Sequence, residues 1–155
     1  MRAAIFSDTH GNAIALDAVL ADIERVGGVD ACWFVGDAVA LGSDPVGTLE
    51  RLEALPGLVA VRGNSDRFLV DYPTDEVAAA VQLAADDATK AEEAIHRIRG
   101  LAWTTGAITV AGCRTWLADL PLDERVTLPD GTRVLLVHAA PGTDDGDGHS
   151  RGSRR

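Results

Sequence analysis

The chain has 155 residues, of which 46% are hydrophobic and 25% charged, and its formal net charge is −10. This length predicts one domain with a core large enough to be stable without disulfide bonds. The acidic balance excludes a strong nucleic-acid patch and attraction to anionic membranes, because both need clustered Lys and Arg. Phosphorylated substrates remain open, since a bound cation can reverse the local field.

Two further features concern the cellular setting. No apolar stretch approaches the roughly 20 residues that a membrane-spanning helix needs. Cys32 and Cys113 lie far apart, without the spacing of a metal site, so they are predicted to be reduced thiols. We therefore expect a cytoplasmic protein without a membrane partner.

The first part of the chain alternates between strand and helix patterns. Strands are predicted at 2–6, 31–35 and 58–62, and helices at 13–26 and 46–54, the second capped by Asp44 with Pro45 at its first position. Such alternation predicts βαβ units on a largely parallel sheet, and hence an α/β fold.

The second part is less regular. A helical stretch is predicted over about 75–99, as one helix or two, whereas 103–120 stays undecided because it contains the β-branched run "AITVAG". The segments "RVTL" and "TRVLLVH" flank Pro129-Asp130-Gly131 and predict a β-hairpin. The final stretch, "GTDDGDGHSRGSRR", lacks apolar periodicity and predicts disorder.

Polar side chains follow four of the predicted strands. Asp8 and His10 come after the first strand, Asp37 after the second, Asn64 after the third and His138 after the last. In an open α/β sheet, ligands bind beyond the carboxyl ends of the strands, so these side chains are expected at one edge. Carboxylate, imidazole and amide groups are ligands of divalent metals such as Mn, Fe, Zn and Mg.

Each motif alone has a plainer interpretation. Asp-x-His can form a turn or cap a helix, Gly-Asp and Gly-Asn are common turn dipeptides, and a single His after a strand is often only hydrogen-bonded. Their joint occurrence, in order and each at a strand end, favours a metal site.

These motifs resemble the calcineurin-like metallophosphoesterase superfamily. They read "SDTHGN", "VGDAVALG", "VRGNSDR" and "LLVHAAPG", span residues 4–142, and are nearest to its small bacterial phosphodiesterase-like and phosphatase-like branch. The resemblance implies a β-sandwich of two sheets flanked by helices. It also implies a hydrolase in which a dinuclear metal centre and a bridging hydroxide cleave a phosphodiester or a phosphomonoester.

The resemblance also assigns residues. One metal would be bound by Asp8, His10 and Asp37 and the other by Asp37, Asn64 and His138, so that Asp37 bridges them. Asp37, Asn64 and His138 would also be the catalytic residues. The implied cofactors are two divalent ions, of which Mn is favoured and Fe, Zn, Ni or Mg are alternatives. The implied partner is a phosphorylated small molecule or phosphodiester, and a homo-oligomer stays open.

Two departures from the family pattern bear on activity. Ser65 stands where many members have a His that protonates the leaving group, so water would do so here, or the substrates would have good leaving groups. The Gly-His-x-His motif is missing, because Gly148-His149 is followed by Ser150-Arg151. We therefore expect an incomplete domain at 1–142, lacking its C-terminal part, and a disordered tail at 143–155.

That truncation, whether natural or due to a reading-frame change, would impair the enzyme. The alternative is a catalytically inactive remnant that binds metal or serves as an interaction module.

Overall fold

The computed structural model describes residues 1–71 and 87–145, together with the single positions 78 and 82. The elements run in chain order as β1 (Ala3–Phe6), α1 (Ala13–Arg25), β2 (Ala31–Val35), α2 (Pro45–Glu53), β3 (Val59–Val61), α3 (Asn64–Val70), α4 (Ala88–Val110), α5 (Arg114–Asp119), β4 (Asp123–Thr127) and β5 (Arg133–Val137). Among the described residues, no helix is both long enough and apolar enough to cross a membrane.

The strands form two sheets. One is parallel with the order β1-β2-β3, and the other is the antiparallel pair β4-β5. In the parallel sheet Ile5 pairs with Trp33, and Trp33 pairs with Val59, so all three strands end at the same edge. The predicted hairpin is present around the turn at 129–131, with Asp123 opposite Val137.

The helices cover one face of the parallel sheet. Phe34 of β2 is fully buried there, packed with Leu16 of α1, Leu49 of α2 and Ile108 of α4. Side chains alternate across a strand, so the neighbouring Trp33 points to the opposite face. There it packs with Leu136 of β5. The molecule is therefore layered as helices, parallel sheet and hairpin, which confirms the predicted α/β class of two sheets with flanking helices.

The structure settles one undecided stretch and differs from the sequence-based prediction at another. The undecided segment 103–120 is helical, as the second half of α4 and all of α5. Residues 143–145 fall within the predicted tail, yet Asp144 is buried and pairs with Arg62 and Arg67. Most of 75–86 and all of 146–155, on which the remaining helix and tail predictions fall, lie outside the described residues.

Candidate metal centre

The segments after β1 and β2 run side by side beyond the sheet. The Asp8 amide donates to the Gly36 carbonyl at 2.9 Å and the His10 amide to the Asp37 carbonyl at 3.0 Å. These bonds continue the pairing of the two strands into the loops. The Asp-x-His and Gly-Asp motifs are therefore held against each other by their own backbones.

Three site residues have backbones in the left-handed region. Asp8 has φ 56°, His10 φ 48° and Asp37 φ 62°. Asp and His tolerate this region better than most side chains, but residues in such sparsely populated conformations cost on the order of 1–3 kcal/mol each. Their clustering at one sheet edge is typical of a functional site, where the surrounding fold holds a strained arrangement.

The structure brings all five predicted site side chains together. His10 Nε2 lies 3.7 Å from Asp8 Oδ1 and 3.6 Å from Asp37 Oδ2. His138 Nε2 lies 3.7 Å from Asp37 Oδ1 and 3.2 Å from Asn64 Oδ1. The two Asp37 oxygens thus face different neighbours, one the Asp8 and His10 group and the other the Asn64 and His138 group.

The orientation of His138 is fixed by the sheet. Its Nδ1 lies 2.7 Å from the Val35 carbonyl oxygen, a contact that only a protonated Nδ1 can make as a hydrogen bond. In the neutral ring Nε2 then carries a lone pair, and this lone pair faces the Asn64 and Asp37 oxygens. A hydrogen bond from one ring nitrogen to a backbone carbonyl is typical of histidines that bind a metal through the other nitrogen.

The donor set fits a divalent cation. Ligand atoms of Asp8, Asp37 and His138 all lie within 4.8 Å of one another. Atoms that share one ion at about 2.1 Å lie roughly 3–4.2 Å apart, a range that includes the measured His–Asp and His–Asn separations. Lone pairs and carboxylates that face each other repel unless a metal ion or a proton lies between them. Among the described residues, the buried His10 Nδ1 also has no hydrogen-bond partner.

Asp66 connects two of the ligand-bearing loops. Its carboxylate is fully buried and accepts backbone N–H bonds from Gly63 and Asp37 at 2.9 Å, Ala38 at 2.9 Å and Val39 at 3.4 Å. Burial raises the pKa of this carboxyl to about 6, while the N–H bonds lower it and the nearby Asp37 charge raises it. Sequence reasoning did not assign this role, although an acidic residue three positions after a helix cap is a recognisable signal.

A pH-dependent stability follows from Asp66. Its pKa is 3.8 when unfolded and about 6 when folded, so the native chain holds the proton more tightly. The stability this gives is present below pH 3.8 and is lost as the pH rises through 6. The loss is at most about 3 kcal/mol. Urea unfolding measures the free energy of unfolding of the metal-free protein and of its Asp66→Asn variant. The value for the unsubstituted chain minus that for the variant should fall by this amount between about pH 4 and pH 7.5. A difference that stays constant with pH would contradict the assignment.

Close backbone packing brings these loops into register. A Cβ built on Gly36 would lie 2.7 Å from the Gly63 nitrogen and from His138 Nδ1, and one built on Gly63 would overlap the backbone nitrogen and Oδ1 of Asp37. The glycines of the Gly-Asp and Gly-Asn motifs are therefore required by contact between the two loops.

The segment after His138 is anchored by charge. Asp144 is 6% exposed and accepts from Arg62 Nε at 3.0 Å and from Arg67 Nε at 3.1 Å, while Arg67 also reaches Asp145 at 2.9 Å. Arg67 lies on α3, the helix that begins at Asn64. These ion pairs tie the loops that carry Asn64 and His138 together, and nothing in the local sequence signals them.

Comparison with known proteins agrees with this fold. The sequence profile of the calcineurin-like phosphoesterase superfamily domain matches residues 1–152. A metallophosphoesterase from Sphaerobacter thermophilus is 29% identical, with a TM-score of 0.55, over 80% of this chain and 42% of that one. A hypothetical protein from Pyrococcus horikoshii OT3 is 20% identical, with a TM-score of 0.69, over 92% of this chain and 56% of that one. No curated protein shows significant sequence similarity to the chain.

The fold and the profile match over residues 1–152 together define the class of domain to which this chain is assigned. The chain belongs to the calcineurin-like phosphoesterase superfamily. It spans about half the length of the similar solved structures, 42% of one and 56% of the other.

Proposed function

We propose that the chain hydrolyses phosphate esters, as a phosphodiesterase or a phosphatase, and that it uses two divalent metal ions, with manganese as the preferred metal. Asp8, His10 and Asp37 would hold one ion, and Asp37, Asn64 and His138 the other. The observation that carries the proposal is the position of the Asp37 carboxylate, whose oxygens lie 3.6 Å from His10 Nε2 and 3.7 Å from His138 Nε2. A carboxylate between two donor groups is suited to serve two cations at once.

Each site residue would have a separate role in this reaction. Bound divalent ions supply polarisation of the phosphoryl oxygens and activation of water. Asp37 contributes the negative charge that both donor groups share, and its side chain is only 7% exposed. Val35 orients His138 through Nδ1, so that Nε2 points at the reacting region. Asn64 adds a neutral oxygen where another full charge is unnecessary.

Protonation of the leaving group is the step for which this chain departs from many relatives. Ser65 occupies the position concerned, and its hydroxyl donates to Asp37 Oδ2 at 3.0 Å. That hydroxyl is committed to the carboxylate, so the leaving group would take its proton from water. We therefore propose substrates whose leaving groups need little help, such as aryl or acyl-type esters.

The proposal includes weak metal binding. The five site side chains would offer three protein donors to each ion, with Asp37 counted twice. Loss of contacts that support a metal typically costs 10–100-fold in affinity. We also propose a cytoplasmic location, in keeping with Cys32 and Cys113 being free thiols.

Turnover of chromogenic esters tests this function. With added manganese we expect hydrolysis of an aryl phosphodiester or an aryl phosphomonoester, and much slower hydrolysis of the alkyl counterpart. Asp37→Asn should reduce the rate by at least about 100-fold, because the amide cannot serve two cations. Asp22→Asn is the matched control, since Asp22 lies exposed on α1 and, among the described residues, pairs only with Arg25 of the same helix.

A chain that binds manganese yet hydrolyses neither ester would overturn the enzymatic proposal. That result would favour the alternative, a metal-binding remnant or interaction module. A rate unchanged in Asp37→Asn would instead contradict the assigned site.

A further inference from the structure

Ser65 contacts both oxygens of the Asp37 carboxylate. Its backbone N–H donates to Oδ1 at 2.9 Å, and its hydroxyl donates to Oδ2 at 3.0 Å. Oδ1 is the oxygen nearer His138, at 3.7 Å, and Oδ2 is the oxygen nearer His10, at 3.6 Å. One residue therefore supports each half of the carboxylate through a different chemical group.

We infer that Ser65 is a positioning residue whose side chain supports only the metal on the Asp8 and His10 side. This inference rests on the proposed function. The hydroxyl fixes Oδ2, which faces His10, whereas Oδ1 keeps its bond to the backbone N–H in any variant that retains the helix. Removing the hydroxyl should therefore weaken one ion selectively and leave the other nearly unchanged.

The surrounding contacts prevent Asp37 from compensating. Asp66 holds the Asp37 amide at 2.9 Å and the Ala38 amide at 2.9 Å, so the backbone beneath the carboxylate is fixed. Without the Ser65 hydroxyl, Oδ2 loses a hydrogen-bond donor, whereas Oδ1 keeps its bond from the Ser65 N–H. Coupled rotations about χ1 and χ2 that hold Oδ1 in place then displace Oδ2, which is the oxygen facing His10.

A capping role for Ser65 does not explain this arrangement. At the start of α3 it is Asp66 that accepts the Gly63 amide, at 2.9 Å, and the Ser65 hydroxyl points across to Asp37 instead. A hydroxyl that acted only on helix stability would affect both donor groups alike. The selective loss of one ion is the readout that separates positioning from stability.

Manganese titration of the full chain, stripped of metal beforehand, tests the inference by calorimetry and by electron paramagnetic resonance. In Ser65→Ala we expect one site to weaken by about 10-fold or more and the other to change by less than about twofold. Ser65→Thr keeps a hydroxyl at the same position and should restore the first site. Thermal unfolding of the metal-free variants checks that all of them fold.

Two backgrounds identify the affected site. In His10→Ala, where the first site is already damaged, adding Ser65→Ala should produce no further change in the remaining site. In Asn64→Ala, adding Ser65→Ala should still weaken the remaining site by about 10-fold. Equal weakening of both sites in Ser65→Ala, or no weakening, would overturn the inference while leaving the proposed function intact. Failure of the unsubstituted chain to bind two ions would overturn both.

Discussion

Asp37→Ala should release both manganese ions from the protein, whereas His10→Ala and Asn64→Ala should each release one. The reason is that the Asp37 oxygens face both donor groups, at 3.6 Å from His10 Nε2 and 3.7 Å from His138 Nε2. Without this carboxylate, each remaining set holds only two donors. We expect a fall of at least about 100-fold in affinity at both sites, the upper end of what loss of a supporting contact produces.

Calorimetric titration of metal-free protein measures this change as a stoichiometry. The control is Asp22→Ala, because Asp22 is exposed and, within the part of the chain that the structure describes, pairs only with Arg25 on the same helix at 2.6 Å. Exposed pairs of this kind contribute little to stability, so the control should bind manganese like the unsubstituted chain. A stoichiometry of two retained in Asp37→Ala would show that Asp37 does not serve both ions.

Gly63→Ala should destabilise the protein and disable the site with a single methyl group. A Cβ on Gly63 would overlap the Asp37 backbone nitrogen and Oδ1, and neither can move cheaply. The nitrogen is bonded to the buried Asp66, and Oδ1 to the Ser65 amide. Overpacking of this kind costs about 1–3 kcal/mol, and we expect the upper end here. Manganese binding should fall with it, because relief of the overlap must displace Asp37.

Gly106→Ala provides the matched control for that substitution. Gly106 lies within α4, and a Cβ there meets no atom of the described residues within 4 Å apart from the nearby backbone of its own helix. Alanine is favoured over glycine inside helices by about 1 kcal/mol, so this variant should be equally or more stable and should bind manganese normally. Urea unfolding and manganese titration of both variants decide the matter. A Gly63→Ala protein as stable as Gly106→Ala would contradict the packing argument.

The polar residues at the strand ends could be predicted from the sequence because the signals for them are local. Asp8, Asp37 and Asn64 each follow a short apolar run, and parallel strands deliver their carboxyl ends to one edge. The helical state of 103–120 was not readable, because the run "AITVAG" favours a strand by propensity. The structure makes it helical, with Thr104 and Ile108 buried four residues apart on one face, so packing overrides propensity.

The contacts that position the ligand side chains could not be predicted from the sequence, for a different reason. Asp144 lies in a polar segment that predicts disorder, yet its partners Arg62 and Arg67 are 82 and 77 residues away in the chain. The role of Ser65 likewise depends on a carboxylate 28 residues distant. Composition and periodicity describe local tendencies, and they carry no information about which distant charge completes a pair.

The buried Asp66 carboxylate has a consequence for the motion of the site. The amides of Asp37, Ala38, Val39 and Gly63 all bond to this one group, although they belong to two different loops. Neither loop can swing away alone without leaving part of a buried carboxylate unbonded. We therefore expect the two loops to open as one cooperative unit, with their amides becoming accessible to hydrogen exchange together. A single side chain would thereby give two separate loops one shared opening free energy.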